Sequence, residues 1–442
     1  MSGANADRPS ASESGGDGVR GRSPRAGTIQ ADDTRDEVRA WLAEHWDEDR
    51  PLPEWRALLA ESGWGCPAWP VEWFGKGLSP GLAAVVEAEF SRIGAVGAAV
   101  GQAITLAAAT ILEHGSDDLK ARFLRPAMTG EHRWCQLFSE PGSGSDLAGL
   151  TTSAVRDGDE WVVTGQKVWN TSAHHADYGM LVARTNFDVP KHKGITYFVV
   201  DMHQPGIEVR PLMQMNRYAS FNEVFLSEAR VPVDNVVGNV GEGWRPTLTT
   251  LASERFLPSV KQYSAGGRGL GGRCREEAAV ETAAYAKTYV WYPQRAGRAD
   301  LVIPHARARG VANDPVIRDR IASLHSLDQT AKWTAQRARA ARLAGKPAGL
   351  EGSIGKLVGS EISRRAARLH AQIAGANGLL SGPESGLDGL LAEILISQPG
   401  QSIAGGTDEI QRNIIGEKSL GLPREPAVDI DVPFRDVRTN AR

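Results

Sequence analysis

Cysteine is scarce in this chain of 442 residues: Cys66, Cys135 and Cys274 stand far apart, with no Cys-x-x-Cys pair and no histidine cluster nearby. Such spacing gives neither a disulfide framework nor a zinc signature, so no metal is expected and the thiols fit a reducing, cytoplasmic setting. Long apolar runs are also missing. The longest, Gly101 to Leu112, is rich in alanine and falls short of the ~20 residues a membrane helix needs, so no membrane span is expected. Neither sign of charge dominates: 50 Lys and Arg against 53 Asp and Glu leave a net charge of -3, which argues against nucleic acid as a partner. The first 28 residues are Ser, Gly, Arg and Asp-rich without an apolar stretch, which reads as a disordered tail rather than a secretory signal.

What is present is a globular composition, 41% hydrophobic and 23% charged, long enough for about three compact units. From Ile29 to about Gly130, apolar residues such as Val38, Trp41 and Leu42 recur at helix spacing. Ser62 to Pro80 interrupts them with Trp64, Trp69 and Trp73 among glycines and prolines, a folded connection whose rings serve the core. After Trp134 the pattern shortens to β-rich runs, Trp161 to Thr164, Met180 to Ala183 and Ile195 to Asp201. Beyond Gly241 helix spacing returns at Ile317, Ile321 and Leu324, and again from Ile354 to Ile373. The order is helices, sheet, helices.

A literal dinucleotide fingerprint, Gly267-Arg268-Gly269-Leu270-Gly271-Gly272, lacks the buried strand that a Rossmann site requires before it, and reads as a flexible loop. Neither a Walker loop nor a nucleophile elbow occurs. His174 and His175 read as rim residues, and His325 and His370 as helical histidines with ordinary hydrogen bonds. Three other segments carry more. Leu137 to Asp146 reads LFSEPGSGSD, a turn whose amides and hydroxyls can hold a polar ligand. Gly165 to Thr171 reads GQKVWNT and sets an aromatic plane beside a hydroxyl, and Ala404 to Asn413 reads AGGTDEIQRN.

These segments, in this order and in a helices-sheet-helices chain, resemble the acyl-CoA dehydrogenase family of flavoproteins over roughly Ile29 to Pro423, with support from FNEVF at 221–225, GEGW at 241–244 and NIIGE at 413–417. The resemblance implies an α+β multidomain fold: an N-terminal α-helical domain (29–130), a middle β-barrel or sheet domain (131–240) and a C-terminal four-helix bundle (241–425), with an insertion near 264–307 and a tail at 426–442. It implies FAD between sheet and bundle. Phe138, Ser139, Gly144 and Ser145 match the flavin turn, Ser145 also lying near the CoA portion of the substrate. Trp169 and Thr171 match the pair beside the ring, with Asn170 between them at the cofactor in place of the usual apolar residue, and Thr407 and Glu409 match positions at the cofactor. Gln372 and Gly375 resemble a segment reaching the cofactor from a neighbouring subunit, which implies a homodimer, a homotetramer or a heteromer with a homologue. Arg309 is the closest match to a pyrophosphate-binding arginine, although the Phe and Gly that accompany it in relatives are absent.

The family's reaction removes an α-proton from an acyl-CoA thioester as the β-hydrogen leaves as hydride, giving a trans-2-enoyl-CoA, with electrons passed to an electron-transfer flavoprotein as in fatty acid β-oxidation. It needs a carboxylate. Most relatives carry that Glu just before the C-terminal Gly-Thr, where this chain has Gly405 followed by Gly406. Isovaleryl-type and long-chain-type relatives carry it on a bundle helix, and Glu254 stands at the matching place, followed by Arg255, which would help orient the substrate. Desolvation would make Glu254 a better base at neutral pH. An ion pair with Arg255 is the competing reading of Glu254. Gly405 keeps a backbone N–H for the enolate oxygen. The same residues leave open a non-catalytic subunit that completes the flavin site of a homologue, and an oxygen-using flavin oxidase or hydroxylase.

Overall fold

The computed structural model describes residues 26–254, 271–288, 295–346, 349–380, 382, 385–427 and 429–437. Helices come first: α1 (Ala26–His45), α2 (Leu52–Ser62), α3 (Pro80–Ile93), a π-helical turn Ala103–Ala107 running into α4 (Ala108–His114), and α5 (Asp117–Thr129). Their ends follow local chemistry. Ser79 caps α3 by accepting from Leu82 N with Pro80 at the first turn, Ser116 caps α5 through Leu119 N, and Gly94 and Gly130 close both helices in the left-handed region. Helix α1 starts at Ala26, inside the span read as a tail. Val38, Leu42, Trp55, Leu59, Val86 and Phe90 form one core, and Trp64 from the interrupting connection is buried in it, while Trp69 and Trp73 pack partly buried on the neighbouring core.

Strands β1 (Trp134–Leu137), β2 (Ser153–Asp157), β3 (Glu160–Lys167), β4 (Tyr178–Arg184), β5 (Ile195–Asp201), β6 (Ile207–Leu212), β7 (Phe221–Pro232) and β8 (Val236–Val237) form one sheet in the order β6-β7-β3-β2-β4-β5-β8, with β1 parallel on β4. Along β4, Met180 and Val182 face the core shared with α4 and α5, while Leu181 and Ala183 face the opposite core. Both faces are therefore buried, which is why β4 and β5 are continuously apolar instead of alternating. On the second face the Trp161 ring of β3 meets Phe198 of β5 at 5.7 Å although β2 and β4 lie between them in the sheet order. The sheet thus curls on itself, in the sense expected of the barrel-like middle domain.

After the sheet come α6 (Trp244–Glu254), α7 (Arg273–Thr288), α8 (Val302–Ala308), α9 (Pro315–Leu343), α10 (Glu351–Ala374), α11 (Leu390–Ile403) and α12 (Asp408–Lys418). Helix α10 packs against α9, α11 and α12, which makes the four-helix bundle. The span 264–307 divides in two: Ala299, Val302 and Ala306 pack in the core of that bundle with Leu324, Ala366 and Leu369, while the earlier part does not. Its described helix α7 docks on the N-terminal helices: Cys274 is buried in their core, Glu277 accepts from Leu52 N at 2.8 Å, and Glu281 pairs with Arg56, which also donates to Thr129 O. Gly267 to Leu270 of the glycine-rich stretch lie outside the described residues. The span 426–442, read as a tail, is folded at 429–437, where Phe434 is 1% exposed. Among the described residues no helix is long and apolar enough to cross a membrane.

Candidate active site

One cleft of about 2510 Å³ opens between the sheet and the bundle. Its lining includes Phe138, Ser139, Gly144 and Ser145 from the turn after β1, Trp169, Asn170 and Thr171 after β3, Glu254 at the end of α6, and Gly405, Gly406 and Thr407 before α12. The three motifs and the candidate base, distant in sequence, therefore face one space.

Each wall has a physical anchor. Helix α6 is fixed by Thr250, whose hydroxyl meets Thr110 Oγ1 at 2.7 Å and Tyr197 OH at 3.1 Å. With Thr247 and Thr250 turned inward, Leu248, Leu251 and Glu254, three residues apart, share the cleft face, so the carboxylate follows an apolar strip. The Ser139 turn is held by a pair that the sequence reading passed over. Lys167 Nζ, fully buried, donates to Glu140 Oε1 at 2.9 Å and to Phe138 O at 3.0 Å, while Glu140 also accepts from Thr151 N, Thr151 Oγ1 and Thr152 N. Burial would raise the Glu140 carboxyl, but Lys167, Thr152 and Thr151 outweigh it and hold it at about 2. Both residues sit inside the quoted motifs. A lysine ending a strand of buried positions was the signal that could have found them. Gly165 is required because a Cβ there would collide with Thr152.

Trp169 adopts φ 64°, stays 57% exposed, and stands edge-on to Phe221 at 5.6 Å. A bulky residue in that region carries about 1–3 kcal/mol of strain. The strain is held by Asn170, whose backbone exchanges two 3.1 Å hydrogen bonds with Asn222 and whose Nδ2 donates to Gln136 O at 2.7 Å. The Asn170 amide is thus spent partly on the sheet. On the opposite wall, Gly405 and Gly406 both have positive φ, and Gln411 Nε2 donates to Gly405 O at 2.9 Å. Thr407 caps α12 by accepting from Ile410 N, and Asp408 is buried between Lys356 Nζ at 2.9 Å and Arg364 Nη1 at 2.5 Å. Lys356, Ser360 and Arg364 outweigh burial, the largest single influence, and keep the Asp408 carboxyl at about 2.

Not every matched residue lies in the cleft. Glu409 is exposed beside Arg412, Arg309 is exposed at the end of α8, Gln372 lines a separate small hollow with Val311 and Arg320, and Gly375 follows α10 outside the cleft. Arg255 lies outside the described residues. His325 lines the cleft, whereas His174 and His175 are exposed outside it. His370 Nε2 donates to Arg298 O at 3.1 Å, and its Nδ1 faces His305 Nδ1 at 2.9 Å, so with His370 neutral His305 is the donor.

Most of the chain matches family models in sequence order: the acyl-CoA dehydrogenase N-terminal domain over 30–131, the middle domain over 135–228 and the C-terminal domain over 297–420. The chain belongs to the acyl-CoA dehydrogenase family. This is a family of flavoprotein oxidoreductases of lipid metabolism. Acyl-CoA dehydrogenase FadE34 of Mycobacterium tuberculosis is 37% identical over 88% of this chain, which spans 49% of that protein's length. Acyl-CoA dehydrogenase IpdE1 of the same organism is 33% identical over 84% of this chain and 88% of its own. Among solved structures, the Tcur3481-Tcur3483 steroid ACAD (acyl-CoA dehydrogenase) matches with TM-score 0.62 at 26% identity over 91% of this chain and 99% of that one. The ChsE4-ChsE5 complex of Mycobacterium tuberculosis matches with TM-score 0.59 at 26% identity over 91% and 100%. The acyl-CoA dehydrogenase fold accounts for the helices, curled sheet and bundle around the cleft.

The residues present fit a flavin. Trp169 offers an exposed indole face, and of the residues lining the cleft Asn170 Oδ1, Gln214 Nε2 and Ser397 Oγ are buried polar atoms without a hydrogen-bond partner among the described residues. Flat apolar contact with unspent polar atoms at its edge suits a ring system with polar margins.

Proposed function

We propose that the chain is an FAD-dependent acyl-CoA dehydrogenase that converts an acyl-CoA thioester to the trans-2-enoyl-CoA and passes the electrons to an electron-transfer flavoprotein in the cytoplasm. The observation that carries this reading is the single cleft shared by Glu254, the Ser139 and Trp169 turns and the Gly405-Gly406-Thr407 turn. Phe138, Ser139, Gly144, Trp169, Asn170, Thr171 and Thr407 would hold FAD, which when bound supplies the acceptor for the hydride leaving the β-carbon.

The chain's own residues do the rest. Glu254 takes the α-proton, its position on the apolar strip of α6 raising its basicity when substrate displaces water. Ser145 contacts the CoA portion, Arg255 orients the thioester, and the backbone N–H groups of Gly405 and Gly406 face the carbonyl oxygen on which charge develops. The acyl group is proposed to be bulky, in line with the solved relative named as a steroid ACAD. The test is the anaerobic visible spectrum with straight, branched and polycyclic acyl-CoA thioesters. Bleaching by one class supports dehydrogenation. Hydrogen peroxide formed stoichiometrically in air points to oxidase chemistry instead, and purified protein that neither retains nor takes up flavin contradicts the reading.

A second reading is favoured by the outward placement of Arg309, Gln372 and Gly375: the functional unit is an oligomer in which these residues complete a neighbour's flavin site, either a homodimer or homotetramer or a heteromer with a homologue. Glu409 belongs with them. Flavin content that rises on mixing with a homologous subunit supports the heteromer.

A further inference from the structure

The rim of the cleft that carries Gly144 and Ser145 is braced from outside by residues more than 280 positions away. Lys191, in the turn between β4 and β5, donates from Nζ to Asp146 Oδ2 at 3.1 Å and to Asp429 Oδ2 at 2.9 Å. Burial works against the lysine's charge, but the two carboxylates outweigh it and its pKa is raised. A second brace lies behind the first. Arg184, fully buried on β4, donates from Nη2 to Ala148 O at 2.6 Å, from Nε to Leu150 O at 3.2 Å and from Nη1 to Lys191 O at 3.1 Å. Its guanidinium stacks 3.5 Å from the centre of the Phe434 ring.

Residues 429–437 are seated where this requires. Phe434 N donates to Val189 O at 2.9 Å, Arg435 N to Phe187 O at 3.0 Å, Pro433 bridges Pro190, and Arg435 pairs with Asp188. These contacts fall on the 186–191 turn and on Arg184, and both of these hold 146–150. His192, next to Lys191, stands edge-on to Trp244 of the cleft wall at 4.9 Å. A buried arginine spent on three backbone carbonyls cannot move without leaving them unpaired, so the ring above it limits how far the rim can open.

We propose that segment 429–437 is a clasp that sets the affinity for the CoA end of the substrate by fixing the Ser145-Asp146 rim, with Phe434 and Asp429 as positioning residues. The inference rests on the proposed function for what the rim receives. It assigns no chemical step to the clasp, so the clasp should move substrate affinity and leave turnover unchanged.

Three substitutions test it in the full chain loaded with flavin. Phe434→Leu keeps apolar bulk and loses the ring face, Phe434→Tyr keeps the ring, and Asp429→Asn removes one of the two charges on Lys191. Hydrogen exchange should quicken at amides 143–150 in the Leu and Asn variants and stay near wild type in the Tyr variant. KM for the thioester that bleaches the flavin should rise about tenfold, with kcat within about twofold, and Asp429→Asn should add nothing in a Lys191→Met background. Unchanged exchange at 143–150 overturns the clasp. Faster exchange with unchanged KM overturns its role in affinity. A wild-type protein that binds no thioester, although the exchange shift still occurs, overturns the proposed function together with that role and leaves the mechanical linkage demonstrated.

Discussion

At the scale of single residues, ion pairs in places that water does not reach do much of the positioning. Lys167→Met leaves Glu140 buried without its partner, so it should cost about 3–5 kcal/mol in chemical denaturation and reduce retained flavin, because Phe138 O loses the same donor. Acid should act in two windows. Burial and the Arg298 carbonyl compete at His370, burial wins, and the folded pKa is about 4 against an ordinary 6.5. The unfolded chain therefore binds the proton first, and stability falls as pH drops from 6.5 to 4, by about 3 kcal/mol at most. Glu140 and Asp408, both held at about 2, contribute stability above the ordinary carboxylate range that is lost below it. Denaturation midpoints across pH should show the upper window vanish in His370→Asn while the lower one stays. None of these pairs was legible in advance. Glu140, Lys167 and Asp408 stand inside quoted motifs, but adjacency in sequence does not reveal which charge is desolvated beside which. Glu254 was legible only through the family pattern.

At the scale of elements, the turn before α12 depends on backbone more than on side chains. Gly405 and Gly406 both occupy the left-handed region, yet a Cβ at Gly405 meets open space while one at Gly406 comes within 2.6 Å of Gln411 Nε2. Gly405→Ala should therefore cost about 1–2 kcal/mol from φ alone, and Gly406→Ala more, because Gln411 must also release Gly405 O. Thermal unfolding of the two variants checks the order. Strands β3, β4 and β5 were visible as β-rich runs, β4 and β5 because burial on both faces leaves an unbroken apolar string and β3 through Trp161 to Thr164. The longest strand, Phe221–Pro232, was not, because its solvent-facing Ser227, Glu228 and Arg230 break the run. Helix α7 was also missed. Its sequence is rich in alanine and carries little bulky apolar surface, and its place is fixed by Glu277 and Glu281 against α2, a contact 225 residues apart in sequence. Glu281→Gln should loosen α7, seen as faster amide exchange over 273–285 with the sheet unaffected.

At the scale of the whole molecule, the layer order was legible because periodicity switches twice, from helix to strand near Trp134 and back beyond Gly241. Which residues meet in space was not, since the cleft gathers residues from positions 136 to 414. Residues proposed to serve a neighbour's site make a prediction that a single chain cannot satisfy: Arg309→Ala should lower flavin content in the oligomer while leaving the unfolding of the chain without flavin unchanged. The central claim is that Glu254 removes the α-proton in this cleft. Its most direct test is stopped-flow reduction of the bound flavin under anaerobic conditions, comparing wild type with Glu254→Gln on the same acyl-CoA thioester. The account predicts that the variant binds flavin and thioester yet bleaches slower by at least about 10²–10⁴-fold, the range expected for loss of a general base. Bleaching at the wild-type rate in Glu254→Gln would contradict it.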